Sequence, residues 1–158
     1  MTKLDRTDRH ILTLMQENGR ISNLELAEQI GLSASPCSRR VKSLEEAGYV
    51  DKHVTLLNPQ KLGLKLTAYI HISMDRHTPD RFENFEKEVA QYPEIVECCL
   101  ITGMDADYQL KVMVPDMEAY QEFLLGKLTR ISGVTGVRSS FMLRSIFQNT
   151  ALPLNHIK

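Results

Sequence analysis

Between Ser22 and Gly48 the sequence carries two helix signals separated only by Gly31-Leu32-Ser33, and so short a turn fixes how the two helices can pack. The first has a complete start: Ser22 as N-cap, Glu25 three residues later, and Ile21 with Leu26 as a hydrophobic staple. Ala27 and Ile30 continue its apolar face, and Gly31 suits the left-handed residue that ends a helix. A three- to four-residue turn containing Gly is the signature of a helix-turn-helix unit. Either Ser33 or Ser35 can cap the following helix, and Pro36 is tolerated because the first turn has no intrahelical N–H bond to lose.

In that helix Cys37, Val41 and Leu44 recur at spacings of four and three and mark the buried face. Ser35, Ser38, Arg39 and Lys42 are left outward, and no acid appears from Ser33 until Glu45. Arginine reads guanine through two parallel hydrogen bonds, while Ser and Lys contact phosphate or make adaptable base-edge bonds. The expected DNA-contacting set is therefore Ser33, Ser35, Ser38, Arg39, Arg40 and Lys42. Arg40 lies beside the buried stripe, where tying the helix to acids of its own domain is the alternative use. A solvated helix face is the plainer explanation of the cations, and the capped layout with its short turn outweighs it.

Ahead of this pair, Asp5 can cap a first helix with Asp8 three residues later, Ile11, Leu12 and Met15 mark its buried face, and Asn18-Gly19 stops it. After Gly48, Val50, Val54 and Leu56 alternate with Asp51, His53 and Thr55, the period of a half-buried strand and the pattern expected of a small wing. Asn58-Pro59 breaks that pattern. The expected organisation is a winged helix-turn-helix domain over 1–58, a compact linker over 59–65 and a second domain over 66–158.

The second domain alternates from Leu66 to Met74 and carries a helix signal with Thr78 as N-cap, Pro79 at N1, Phe82, Phe85 and Val89 on its apolar face and Pro93 after it. Ile95 to Thr102 is expected as a strand apolar on nearly both faces, followed by a turn over Gly103 to Ala106 and a strand through Tyr108, Leu110, Val112 and Val114. Asp116 caps a second helix through Tyr120, Phe123, Leu124 and Leu128, and Val134 to Phe147 is expected as one long strand. The order β-α-β-β-α-β is a split β-α-β, ferredoxin-like arrangement, with both helices on one sheet face because crossovers are right-handed. The class is α+β. Tyr69, His71 and either Cys98 or Cys99 fall on the other face, which pairing of two sheets would cover.

Formal net charge is −1, so nucleic-acid binding has to come from local placement of cations. No apolar run approaches the roughly 18 residues of a membrane span, and the polar start lacks a signal-peptide core, which points to a cytoplasmic protein with no membrane partner. Cys37, Cys98 and Cys99 form no metal-ligand spacing and are expected to be reduced and mostly buried.

Leu4-Asp5, Leu32-Ser33, the run Arg40-Val41-Lys42-Ser43-Leu44-Glu45 followed by Gly48, Thr102-Gly103, Asp107-Tyr108 and Ser139-Ser140-Phe141 occur in an order and spacing that spans both domains. On these residues the whole chain resembles the Lrp/AsnC family of bacterial feast-or-famine transcriptional regulators. The resemblance implies a RAM-type second domain, a homodimer built through the C-terminal sheets, further assembly into a tetramer of dimers (an octamer), and amino acids as effectors between subunits. It places the effector site at Thr102, Gly103, Met104, Asp105, Asp107 and Tyr108. The commonest family pattern has the Asp three residues after the Gly; here Asp107 is four after Gly103, so the turn is one residue longer. Physically, Gly103 can expose backbone N–H groups to a carboxylate and Asp105 or Asp107 can accept bonds from an ammonium.

Other functions have less behind them. Asp105 and Asp107 lack the accompanying His or Glu cluster of a metal-dependent enzyme, and the five His residues are scattered at 10, 53, 71, 77 and 156, so neither catalysis nor a metal or other cofactor is expected. The alternative regulator is one that responds to oxidation of its thiols, with no amino-acid effector. A reactive thiol needs exposure and a lowered pKa, which the apolar strand around Cys98 and Cys99 does not suggest.

Overall fold

The structure, a computed structural model, describes residues 4–103 and 105–157. The chain divides into two compact units, one formed by Met1–Leu56 together with Phe147–Lys158 and the other by Leu57–Ile146.

In the first unit, α1 (Arg6–Glu17), α2 (Asn23–Ile30) and α3 (Ala34–Glu46) begin where their caps dictate. Asp5 Oδ1 accepts from the Asp8 N–H at 2.8 Å and Asp8 Oδ2 from the Asp5 N–H at 3.1 Å; Ser22 and Glu25 repeat the same reciprocal box at α2. Each box satisfies two donors that a helix start leaves free. Gly31 ends α2 at φ 70°, a left-handed conformation that an L side chain resists. Ser33 occupies the N-cap of α3 by its extended backbone, without a side-chain cap bond. Ile11, Leu12, Leu26, Ala27, Cys37 and Leu44 form the core, with Ile21 and Val41 packed against it.

Two expectations for this unit need correction. No strand forms over 51–58, and Val54 and Leu56 are exposed. Alternation creates a face, but a strand also needs a neighbour for its N–H and C=O groups, and no ladder includes these residues among the described ones. The last residues, expected within the second domain, instead complete the first. Leu154 and Ile157 pack against its core, Gln16 exchanges two hydrogen bonds with the backbone of Leu152 (3.0 and 2.8 Å), and Arg9 donates to the Ile157 carbonyl.

The second unit contains β1 (Leu66–Met74), α4 (Pro79–Val89), β2 (Ile95–Leu100), β3 (Tyr108–Val114), α5 (Met117–Gly126) and β4 (Val134–Phe141). The strands form one sheet in the order β2-β3-β1-β4, with every neighbouring pair antiparallel. Ala68, Ile70, Ile72, Leu110, Val112 and Val114 pack beneath Phe85, Val89, Tyr120 and Phe123 of the two helices. The expected linker is folded: Asn58 Oδ1 accepts from the Lys61 N–H of a 3₁₀ turn at Gln60–Leu62, Gly63 ends it at φ 81°, and the Lys65 N–H bonds the Pro115 carbonyl.

Strand β2 is an edge strand, largely exposed, rather than one buried on both faces. Cys98 lies opposite Leu110 on the helix side and Cys99 opposite Gln109 on the open side; as residues both are exposed, and only Cys37 is buried. The final strand stops at Phe141, its ladder closing on a bond from the Met142 N–H to Thr67, and Leu143, Ile146 and Phe147 are exposed beyond it.

Candidate nucleic-acid interface and effector turn

On α3, Ser35, Ser38, Arg39 and Lys42 are exposed at positions i, i+3, i+4 and i+7, which makes them one continuous stripe along the helix. Ser33 is exposed at its N-terminal end. The stripe lies beside the Cys37, Val41 and Leu44 face that fastens α3 to the core, so packing aims it outward. Arg39 has no acid partner among the described residues, and Lys42 makes only a 3.7 Å contact with Glu46 between two well-exposed side chains. Pairs of that kind contribute little and exchange readily for phosphate. Asn23 adds a tie that sequence reasoning missed: its side-chain amide donates to the Ala34 carbonyl at 2.9 Å, linking the start of α2 to the start of α3.

Arg40 is placed differently. Its Nη1 lies 2.7 Å from both Asp5 Oδ2 and Asp8 Oδ1, the carboxylates that form the α1 capping box. The Asp5 carboxyl is held below its ordinary value by the Asp8 N–H first, with Arg40 assisting; Arg40 is raised by Asp8 and then Asp5. The residue is thus tied to its own domain, the alternative weighed for it above.

In the second unit the turn from Thr102 to Asp107 joins β2 to β3. Gly103 has φ 91°, and the N–H groups of Thr102, Gly103 and Asp105 have no partner among the described residues. Asp107 is occupied on every side: its carboxylate accepts from the Met74 N–H at 2.7 Å and meets His77 Nε2 at 2.8 Å, its N–H bonds Ile72 and its carbonyl accepts from Ile101. Tyr108 is buried against Phe82 and Phe85, and its hydroxyl donates to Glu86 at 2.8 Å. Burial first and the Glu86 bond second push that phenol well above its ordinary pKa. The turn thus brings together Thr102, Gly103, Asp105 and Asp107, while Tyr108 belongs to the core and Met104 lies outside the described residues.

The profile of the Lrp/AsnC ligand binding domain matches residues 67–152, and that of a winged helix-turn-helix DNA-binding domain matches residues 4–51. The chain belongs to the Lrp/AsnC family. Its function is that of a DNA-binding transcriptional regulator. The Leucine-responsive regulatory proteins of Escherichia coli K12 and Klebsiella pneumoniae are each 43% identical to it over 149 residues, covering 94% of this chain and 90% of theirs. A Neisseria meningitidis transcriptional regulator in complex with L-methionine superposes with a TM-score of 0.94 at 44% identity, covering 99% of this chain and 100% of that one. An AsnC family regulator from Agrobacterium tumefaciens superposes at 0.92 with 36% identity, covering 98% and 100%.

The thiol alternative requires a lowered pKa as well as exposure, and the surroundings of the three cysteines act the other way on the pKa. The Cys98 sulfur faces a groove lined by Glu86, Val89, Ala90 and Ile95, and burial there, helped by Cys99 and Glu86, pushes its pKa up to about 11. Cys99 is also raised, by its bond to Glu97, and Cys37 by burial. All three shifts suppress the thiolate, the reactive form. No group of three or more His, Cys, Asp or Glu suited to a metal ion occurs among the described residues, and no described helix is long and apolar enough to cross a membrane.

Proposed function

We propose that this regulator reads duplex DNA through the exposed α3 stripe of Ser35, Ser38, Arg39 and Lys42, with Ser33 at its leading end, and that a free amino acid bound at the Thr102–Asp107 turn changes how it does so. The observation that carries the DNA assignment is the unpaired Arg39 at the centre of that stripe. One such helix offers few base-reading groups, so useful affinity requires at least two copies on pseudo-symmetric half-sites about one helical turn apart or a multiple of it.

Self-association as a homodimer, and further as a tetramer of dimers, supplies the copies. Supporting it are the helix-free sheet face bearing Tyr69, His71, Gln109, Lys111 and Met113, and the exposed apolar Leu143, Ile146 and Phe147. The effector assignment is supported by the free N–H groups around Gly103 and by the L-methionine complexes of two structural relatives, the N. meningitidis regulator and a Mycobacterium tuberculosis feast or famine regulatory protein (TM-score 0.84, 26% identity, covering 98% and 99%). An effector that favours one assembly over another shifts DNA binding in proportion to that preference. The test combines sedimentation with labelled-duplex binding over a salt series, with and without each of the twenty amino acids. Affinity that falls steeply with salt and changes with one amino acid is the expected result; salt-insensitive binding would overturn the DNA assignment.

A further inference from the structure

The two acids of the effector turn differ in what they have left to offer. Every polar group of Asp107 is engaged, by Met74, His77, Ile72 and Ile101, so this residue fastens the turn to the end of β1. Two residues earlier, the Asp105 carbonyl accepts from Ser73 Oγ at 2.9 Å and from Arg138 Nη2 at 2.6 Å, while the Asp105 carboxylate has no partner among the described residues. Arg138, exposed on β4, meets no carboxylate within ion-pair distance among the described residues, and its one bond there leaves most of its five N–H donors free. A carboxylate and a guanidinium therefore flank one peptide group without neutralising each other. Asp105 stands two residues ahead of the clamping Asp107.

We infer that Asp105 and Arg138 are the charged pair that recognises the two ends of a free α-amino acid, Arg138 taking the α-carboxylate and Asp105 the α-ammonium, with Asp107 as the clamp that fixes the turn. The inference rests on the effector assignment above and names the groups and ligand chemistry it uses. Charge-assisted bonds of this kind are the strong ones, and a guanidinium already held by a carbonyl is oriented before the ligand arrives. The N–H groups of Thr102 and Gly103, without partners among the described residues, add neutral donors to the same turn. Recognition of both ends restricts the ligand to unblocked amino acids and leaves side-chain choice to other contacts.

The test uses the full chain. A thermal-shift panel of the twenty L-amino acids at millimolar concentration identifies the probe, because a ligand of the folded state raises apparent stability. Calorimetry then measures that amino acid, its α-carboxamide and its N-acetyl form against wild type, Arg138→Gln and Asp105→Asn. Each variant is expected to weaken the free amino acid tenfold or more. Each blocked analogue should be weakened likewise in wild type but little further in the variant lacking its partner, the non-additivity of a direct contact. If the variants fold poorly, the blocked analogues on wild type still decide, since tight binding of either analogue overturns the assignment. Additive losses overturn the inference while the effector assignment stands; no thermal shift with any amino acid overturns both.

Discussion

Replacing Arg39 and Arg40 in turn by alanine tests the proposed division between a side chain that touches DNA and one that holds the reader in shape. Each neutralised phosphate changes the slope of log K against log salt by about 0.9, so losing Arg39 from both copies of a dimer removes about 1.8 if it contacts phosphate. If it reads guanine instead, the loss is about 1–3 kcal/mol per half-site, roughly 5- to 150-fold. Arg40 is 38% exposed and pairs with Asp5 (47%) and Asp8 (17%) at 2.7 Å each. Exposed pairs are worth about 0.2–1 kcal/mol, so Arg40→Ala should remove about 1 kcal/mol of fold stability and leave the salt slope unchanged. The assay is fluorescence anisotropy of a labelled duplex between about 50 and 200 mM salt, with thermal melts of the free proteins. A slope loss for Arg40→Ala equal to that of Arg39→Ala, or an Arg39→Ala protein with wild-type affinity and slope, would refute the division of roles.

Gly31→Ala meets no neighbour within 4 Å, so its effect comes from backbone strain at φ 70°, about 1–2 kcal/mol, read as a lowered Tm. Leu154→Ala with Ile157→Ala, both partly buried against the first core, should lower stability by about 1 kcal/mol each and speed amide exchange in α1; unchanged α1 protection contradicts the packing described. Asp5, Glu25 and Asp80 have folded pKa values below the ordinary range, through bonds from Asp8, Ser22 and Thr78 respectively; at Glu94 burial pushes upward but Lys127 and its own backbone N–H outweigh it. Each therefore stabilises fully above its unfolded value, about pH 4, and that stability is lost as pH falls through the folded values, visible in acid titration of the melting temperature. Alkylation of Cys98 should remain slow at pH 8 and rise toward its pKa of about 11, which a rate–pH profile measures.

The helix starts were legible because their determinants are local: a Ser or Asp with an acid three residues later both predicts and makes the cap, as Ser22 with Glu25 and Asp5 with Asp8 show. Alternation along β1 and β3 likewise matches their burial. The failures are non-local. Val50 to Leu56 has the period of a strand but no partner, and β2 has the composition of a central strand at an edge, since neighbours are chosen by topology rather than by the residues themselves. At the candidate sites, the exposed α3 stripe follows from helical spacing, whereas Arg138 does not: it reaches Asp105 from a strand 33 residues away, with no motif to mark it. Helical spacing leaves Arg40 two uses, DNA contact or a tie to acids of its own domain, and the 2.7 Å distances to Asp5 and Asp8 favour the second.

The return of Phe147–Lys158 to the first unit has a consequence in time as well as in space. A chain is made from its N-terminus, so the three helices of the first unit leave the ribosome well before Leu154 and Ile157, and the core those residues close stays open while the second unit is synthesised. A nascent or prematurely ended chain thus carries the α3 cations on an unfinished scaffold. Because Leu154 and Ile157 follow the second unit along the chain, the core of the first unit is completed only after the second has also been made.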